Sequence, residues 1–311
     1  MTSDSRGPVL LTDGGFASAL EARGHDLSDA LWSARLLLDA PDEIVATHRD
    51  FYRAGAHVAT TATYQASFDG FAARGLTRAE TAGLLRRGVE LARRARAELA
   101  GDGTPRWVAA SVGPYGAALA DGSEYRGRYG VSVPALRAWH RPRVEALAEA
   151  GPDVLALETV PDVDEAEALV AAVEGLGVPA WLTFTVDGGR TRAGQPMADA
   201  FAVAADAPGI VAVGVNCCAP DEVPEAVACA REVTGKPVVA YPNSGEDWDA
   251  RRREWRGPAR YAPGDAHRWL AEGATIVGGC CRVLPADIAR LAATLAPVVE
   301  SSRPPFLRST Q

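Results

Sequence analysis

The sequence predicts an α/β chain folded as one domain, a (β/α)8 TIM barrel, and three observations carry that prediction. Eight short apolar, β-branched runs alternate with longer stretches rich in Ala, Leu, Glu and Arg. Such alternation implies parallel strands joined by right-handed helical crossovers. The 311 residues, 47% hydrophobic and 23% charged, suit a barrel that needs about 250 residues. The first run leads into "DGGFAS", which lacks the G-x-G-x-x-G turn that a doubly wound sheet places there.

The first strand is "PVLLTDGG", ending at Asp13, and the second is "AHVATTATY", ending at Tyr64. "RWVAASVGP" is the third, and "DVLALETVP" is the fourth, ending near Glu158. "PAWLTFTV" is the fifth, and "IVAVGVNC" is the sixth, closing on Asn216 and Cys217. "KPVVAYPNSG" is the seventh, with Asn243 and Ser244 after its apolar core, and "ATIVGGCC" is the eighth, closing on Cys280 and Cys281. Between them, "RAETAGLLRRGVELARRARAELA" and "VPALRAWHRPRVEALAEAG" read as helices. In the second, Leu136, Trp139, Val144 and Leu147 recur at near-helical spacing. Pro142 is expected to kink or split that helix. Residues 8–299 are assigned to the barrel, and residues 1–7 and 300–311 to mobile tails.

Composition narrows the function. The formal net charge is −8, and no long basic block occurs. "ARRREWRGPAR" mixes Arg with Glu and Trp and reads as a solvated loop, so nucleic acid is not an expected partner. No apolar run approaches the roughly 20 residues that cross a bilayer, and "MTSDSRGPVL" lacks a signal pattern. The expected place is the cytoplasm, with no membrane contact. Disulfides are rare there, and clustered cysteines more often bind metal or do catalysis.

Four of the five cysteines form two doublets, Cys217-Cys218 and Cys280-Cys281, each at a strand end. Barrel chemistry gathers at those ends, and only the seventh strand separates the two doublets, so they can face each other across the mouth. Clustered thiolates suit Zn2+, which is borderline-soft and tetrahedral. Alternation along a strand puts Cys217 and Cys218 on opposite faces, so that one reaches the mouth. Cys280 and Cys281 can both ligate if the backbone turns, which Gly278-Gly279 eases. Four thiolates would make a closed structural site; three protein ligands leave a position open for substrate. Cys229, in "PEAVACAREV", reads as helix packing. His48, His57 and His140 read as packing or surface residues, and His25 and His267 as exposed. No Ser-His-Asp arrangement or G-x-S-x-G elbow is present.

"GVNC" and "GGCC" resemble the zinc signature of the homocysteine S-methyltransferases. "DGGFASALEARG", "FYRAGAHVATTATYQAS", "SVGPYGAALADGSEYRG", "ALETVPD" and "YPNSGE" extend the resemblance, in that order, over nearly the whole barrel. The resemblance implies a (β/α)8 barrel that methylates homocysteine. It implies Zn2+ held by Cys217, Cys280 and Cys281, with the homocysteine sulfur as fourth ligand. Glu158 would hold the substrate amino group. Asp13, Gly14, Gly15 and Phe16 would form the loop near homocysteine, with backbone amides suited to its carboxylate. Asn216 would steady the metal shell or the substrate. A metal-bound thiol is deprotonated at neutral pH, so no protein general base is assigned. The middle motifs look most like the branch that uses S-methylmethionine or S-adenosylmethionine, and a sulfonium donor is therefore the expected partner. Tyr64, Tyr115, Tyr125, Asn243 and Ser244 are the donor-side candidates, since aromatic faces attract cations. A betaine-type methyltransferase and a non-catalytic four-cysteine zinc or redox module are the alternatives. Cys218, directly after the first ligand, departs from the family's common pattern.

Overall fold

The computed structural model describes residues 9–28, 31–249, 254–296 and 298. Eight parallel strands form the wall: β1 (Leu10–Leu11), β2 (Val58–Thr60), β3 (Trp107–Val112), β4 (Val154–Val160), β5 (Ala180–Phe184), β6 (Ile210–Asn216), β7 (Val238–Tyr241) and β8 (Ala274–Val277). Each strand pairs with its sequence neighbours, and β1 also pairs with β8. A single parallel bridge, Thr12 with Val58, closes the ring between β1 and β2. The Asp13 N–H donates to the Val58 carbonyl (2.9 Å) and the His57 N–H to the Leu11 carbonyl (2.8 Å) at the same join.

A ring of eight helices follows the strands: α1 (Pro41–Arg53), α2 (Arg78–Glu98), α3 (Val133–Glu149), α4 (Val163–Val173), α5 (Met197–Ala205), α6 (Val223–Thr234), α7 (Ala266–Glu272) and α8 (Pro285–Leu295). Local signals start and stop them. Pro41 opens α1, with Asp42 and Glu43 in its first turn and Arg53 in its last, which suits the helix dipole. Thr77 and Glu80 form a capping box at α2, satisfying two otherwise orphaned N–H groups. Gly235, left-handed at φ 63°, ends α6. The (β/α)8 architecture is the one the strand pattern predicts.

Three local expectations are corrected. The helix containing Pro142 is not split but runs from Val133 to Glu149. Its neighbours are anchored: Arg143 donates to the carbonyls of Gly113 and Thr63 (2.7 and 3.1 Å) and of Tyr64, and Arg141 to those of Ala172 and Glu174 (3.1 and 2.9 Å). Such tertiary bonds hold the helix across the N–H that proline lacks. The segment read as a solvated loop contains a strand, Glu254–Arg256, paired antiparallel with Asp247–Asp249; residues 250–253 lie outside the described residues. The fifth strand ends at Phe184, because Val186–Asp187 turn away to pair with Arg190–Thr191. The tails expected at 1–7 and 300–311 also lie outside the described residues. Among the described residues, no helix is long and apolar enough to cross a membrane.

Side chains alternate along the strands. In β4, Val154 and Ala156 fill the barrel interior, while Leu155 and Leu157 join the layer under the helices. Trp107, Trp181, Tyr241 and Ile276 pack the interior beside them. The same period carries Ser111, Glu158, Thr183 and Asn216 inward near the strand ends, so a polar layer crowns the apolar one.

Candidate active site

Sulfur from two strand ends meets at this crown. The ligand atoms of Cys217, Cys280 and Cys281 all lie within 4.8 Å of one another. Cys217 follows β6 with φ +48°, a left-handed turn that is uncommon for a residue other than glycine. That turn breaks the strand alternation and brings its sulfur to the second doublet. Cys218 falls on the other side: it is buried in the layer under the helices and stands apart from the group of three. Cys229 packs against the same layer from α6.

Backbone contacts hold the two doublets. The Cys217 N–H donates to the Tyr241 carbonyl (3.3 Å), and the Cys280 N–H to the Pro242 carbonyl (2.7 Å). Asn243 and Ser244, placed by the sequence on the donor side, act here through their backbones. Asn243 N–H donates to the Cys218 carbonyl (3.0 Å) and Ser244 N–H to the Cys281 carbonyl (2.9 Å). The Ser244 hydroxyl donates to Glu246 (2.8 Å), which pairs with Arg282 at 2.9 Å. Gly14 and Gly15 line the other side of the cysteine loop. A Cβ at Gly14 would meet the Val283 carbonyl oxygen at 2.2 Å, and one at Gly15 the Cys280 carbonyl oxygen at 2.6 Å. The Gly15 N–H is already spent on Val283 (2.8 Å). Phe16 stacks on the His48 ring at 4.4 Å.

The structure brings the Cys217 and Cys280 sulfurs within reach of a disulfide, with Cα atoms 5.6 Å apart, and sets the Cys281 Sγ 3.6 Å from the Cys217 Sγ. The sequence reading did not foresee this pairing. Its reason is proximity, since thiols close enough to share an ion are also in reach of each other. Burial pushes the Cys281 thiol up to about 12 and the Cys218 thiol up to about 12. Neither is a thiolate near neutral pH without a nearby cation. The donor set fits a soft or borderline metal: sulfurs about 2.3 Å from a tetrahedral zinc lie roughly 3.8 Å apart, close to the Cys217–Cys281 spacing. In the reduced state the cluster could hold a metal ion.

Glu158 faces the cluster from β4. One carboxylate oxygen accepts the Ser111 hydroxyl, and the other the Tyr241 hydroxyl at 3.1 Å. Burial pushes its carboxyl up to about 7, against the pull of those two donors and of Arg143. Asp13 spends both oxygens on Thr60, accepting its N–H at 2.7 Å and its hydroxyl at 2.9 Å. Burial raises Asp13 to about 8, and the nearby Glu158 charge adds to the rise. Asn216 bonds across to β4 and β5: its Oδ1 accepts the Thr159 N–H (2.7 Å) and the Thr183 hydroxyl (2.8 Å), and its Nδ2 donates to the Thr159 hydroxyl (2.7 Å).

The three tyrosines differ. The Arg192 guanidinium lies over the Tyr125 ring, 5.9 Å from its centroid, and burial raises the phenol well above the ordinary value. Tyr64 packs edge-on against Trp32, and its phenol is likewise raised by burial. Tyr115 packs edge-on against Tyr129 and Trp139. His48, His57 and His140 are buried and His267 is exposed; His25, expected to be exposed, is half-buried 3.5 Å from Glu43. Sequence reasoning missed Thr60, Ser111, Thr159, Thr183 and Tyr241. The strand period itself was the available signal for Ser111, Thr183 and Tyr241.

A model of the family described as homocysteine S-methyltransferase matches residues 10–295. The chain is 48% identical to the Homocysteine S-methyltransferase of Escherichia coli strain K12, over 92% of this chain and 94% of that protein. The crystal structure of the homocysteine methyltransferase MmuM from Escherichia coli in its metallated form superposes with a TM-score of 0.83. It is 46% identical and covers 92% of this chain and 96% of that one. The oxidized form of MmuM gives the same TM-score at 47% identity, over 92% of this chain and 95% of that one. With the barrel, the sulfur cluster and these matches in agreement, the chain belongs to the homocysteine S-methyltransferase family.

Proposed function

We propose that this protein transfers a methyl group from a sulfonium donor, S-methylmethionine or S-adenosylmethionine, to homocysteine, and that Cys217, Cys280 and Cys281 hold a zinc ion. The observation that carries the reading is the meeting of three sulfurs from two strand ends beside the buried carboxylate of Glu158. When bound, zinc deprotonates the substrate thiol at neutral pH and keeps its sulfur nucleophilic.

The chain supplies placement. Glu158, steadied by Ser111 and Tyr241, holds the homocysteine ammonium. The loop of Asp13, Gly14, Gly15 and Phe16 borders the amino-acid end, with Asp13 fixed by Thr60. Tyr125 and Tyr64 offer aromatic faces to the sulfonium. Homocysteine sulfur forms the new bond to the methyl carbon. The donor's S–C bond breaks, and its sulfur leaves as a neutral thioether with the bonding pair. No protein base is needed, and alignment of the two sulfurs about the methyl carbon is the protein's main contribution. The position of Cys218 outside the cluster speaks against a closed four-cysteine site.

The test is a donor panel on reduced, zinc-loaded protein with homocysteine. S-methylmethionine or S-adenosylmethionine should yield methionine, while betaine and methylfolate should not. Zinc-loaded protein that forms no methionine with any donor would overturn the reading.

A further inference from the structure

We infer that Thr159 is a positioning residue for homocysteine, a role that rests on the methyltransferase reading and goes beyond it. The backbone and its buried hydrogen bonds single out this position. The β4–β5 register slips there: Leu157 pairs with Leu182 but Val160 with Phe184, so β4 spends three steps against two. That is a β-bulge, a device that re-aims side chains beside active sites. Thr159 also has φ +60°, a left-handed conformation that is an outlier for a β-branched residue and is held only by surrounding contacts.

Those contacts are present and buried. Asn216 grips Thr159 twice, accepting its N–H and donating to its hydroxyl, each at 2.7 Å. Thr159 is 1% exposed and Asn216 fully buried, so losing either bond strands a polar group away from water. Glu158 sits inside the bulge, immediately before the gripped residue. Asn216 stands immediately before Cys217, itself at φ +48°. The Asn216–Thr159 pair therefore sets the spacing between the carboxylate that takes the ammonium end and the sulfurs that frame the thiol end. Thr159 touches neither end of the substrate; it acts by aiming Glu158.

The test compares Thr159→Val, which keeps the branched shape and drops the hydroxyl, with Thr159→Ser, which keeps the hydroxyl. Homocysteine KM, kcat, zinc content and calorimetric homocysteine affinity are read on each zinc-loaded protein. Thr159→Val should raise KM and weaken calorimetric binding by about tenfold, with kcat within about twofold and zinc content unchanged, the pattern of lost substrate binding. Thr159→Ser should bring KM back toward the wild-type value. Should Thr159→Val fail to fold, Thr159→Gly carries the test, because it relieves the backbone and removes the hydroxyl; its KM must also rise. An unchanged KM in the folded hydroxyl-free variant, or equal losses of activity in the Val and Ser variants, overturns the inference. Wild-type protein that makes no methionine overturns the methyltransferase reading instead.

Discussion

At the scale of single residues, the proposed reaction rests on the sulfurs and one carboxylate. Cys217→Ser, Cys280→Ser or Cys281→Ser should each lower zinc affinity by about 100-fold or more, since even outer partners of a metal cost up to that much. Metal stoichiometry after dialysis reads the loss. Cys218→Ser should keep both metal and turnover, because that thiol packs under the helices. Glu158 gives a pH dependence with a definite sign. Its carboxyl is raised to about 7, and an ammonium is held only by the ionised form. Homocysteine binding should therefore weaken as pH falls through about 7 and level off above it. Ser111 donates to that carboxylate and pulls its pKa down. Ser111→Ala should then move the acid limb of kcat/KM upward, and an unmoved limb would count against Glu158. The sequence disclosed the sulfurs through two doublets at strand ends, and Glu158 through its place at the end of "DVLALETV". It could not disclose that Cys217 turns left-handed, because strand alternation alone sends the residue after Asn216 outward. Nor could it show that Asp13 would be consumed by Thr60, a contact between residues 47 positions apart.

At the scale of elements, glycines set how closely the segments pass. Gly14 lies under the Val283 carbonyl and against Phe51. Gly14→Ala should destabilise the protein by about 1–3 kcal/mol, the usual cost of overpacking, and should disturb the cysteine loop above it. Denaturant unfolding and zinc content measured on one sample would show both effects. Retention of both would mean that the loop gives way freely. The eight strands were legible because their apolar runs are short, β-branched and bounded by turn residues. Pro142 does not split its helix for a physical reason: the helix is secured by Arg141 and Arg143 to carbonyls of distant segments, contacts that no local pattern contains. The small hairpins were missed because two- and three-residue strands have too little periodicity to read.

At the scale of the whole molecule, oxidation and the proposed metal would compete for the same sulfurs. A disulfide between Cys217 and Cys280 removes two thiolates from any ion, so oxidised protein should bind no zinc at this cluster and reduction should restore binding. Zinc at about 1,000 times its Kd should then add about 4 kcal/mol to stability by mass action. Thermal unfolding of reduced protein with zinc, and again with chelator, would show the difference; identical midpoints would argue against a metal bound to the native fold. Both ends of the sheet also matter, since the first stave of the barrel is two residues long and meets the second through one bridge. Asp13 and Thr60 act there as a latch, fastening the weakest join in the wall from the inside. Amide protons of Asp13 and His57 should exchange with solvent sooner than those between the fourth and fifth staves. A barrel that loosens with age or heat would come undone first beside Asp13 and the proposed homocysteine site, losing that end of the pocket before its shape.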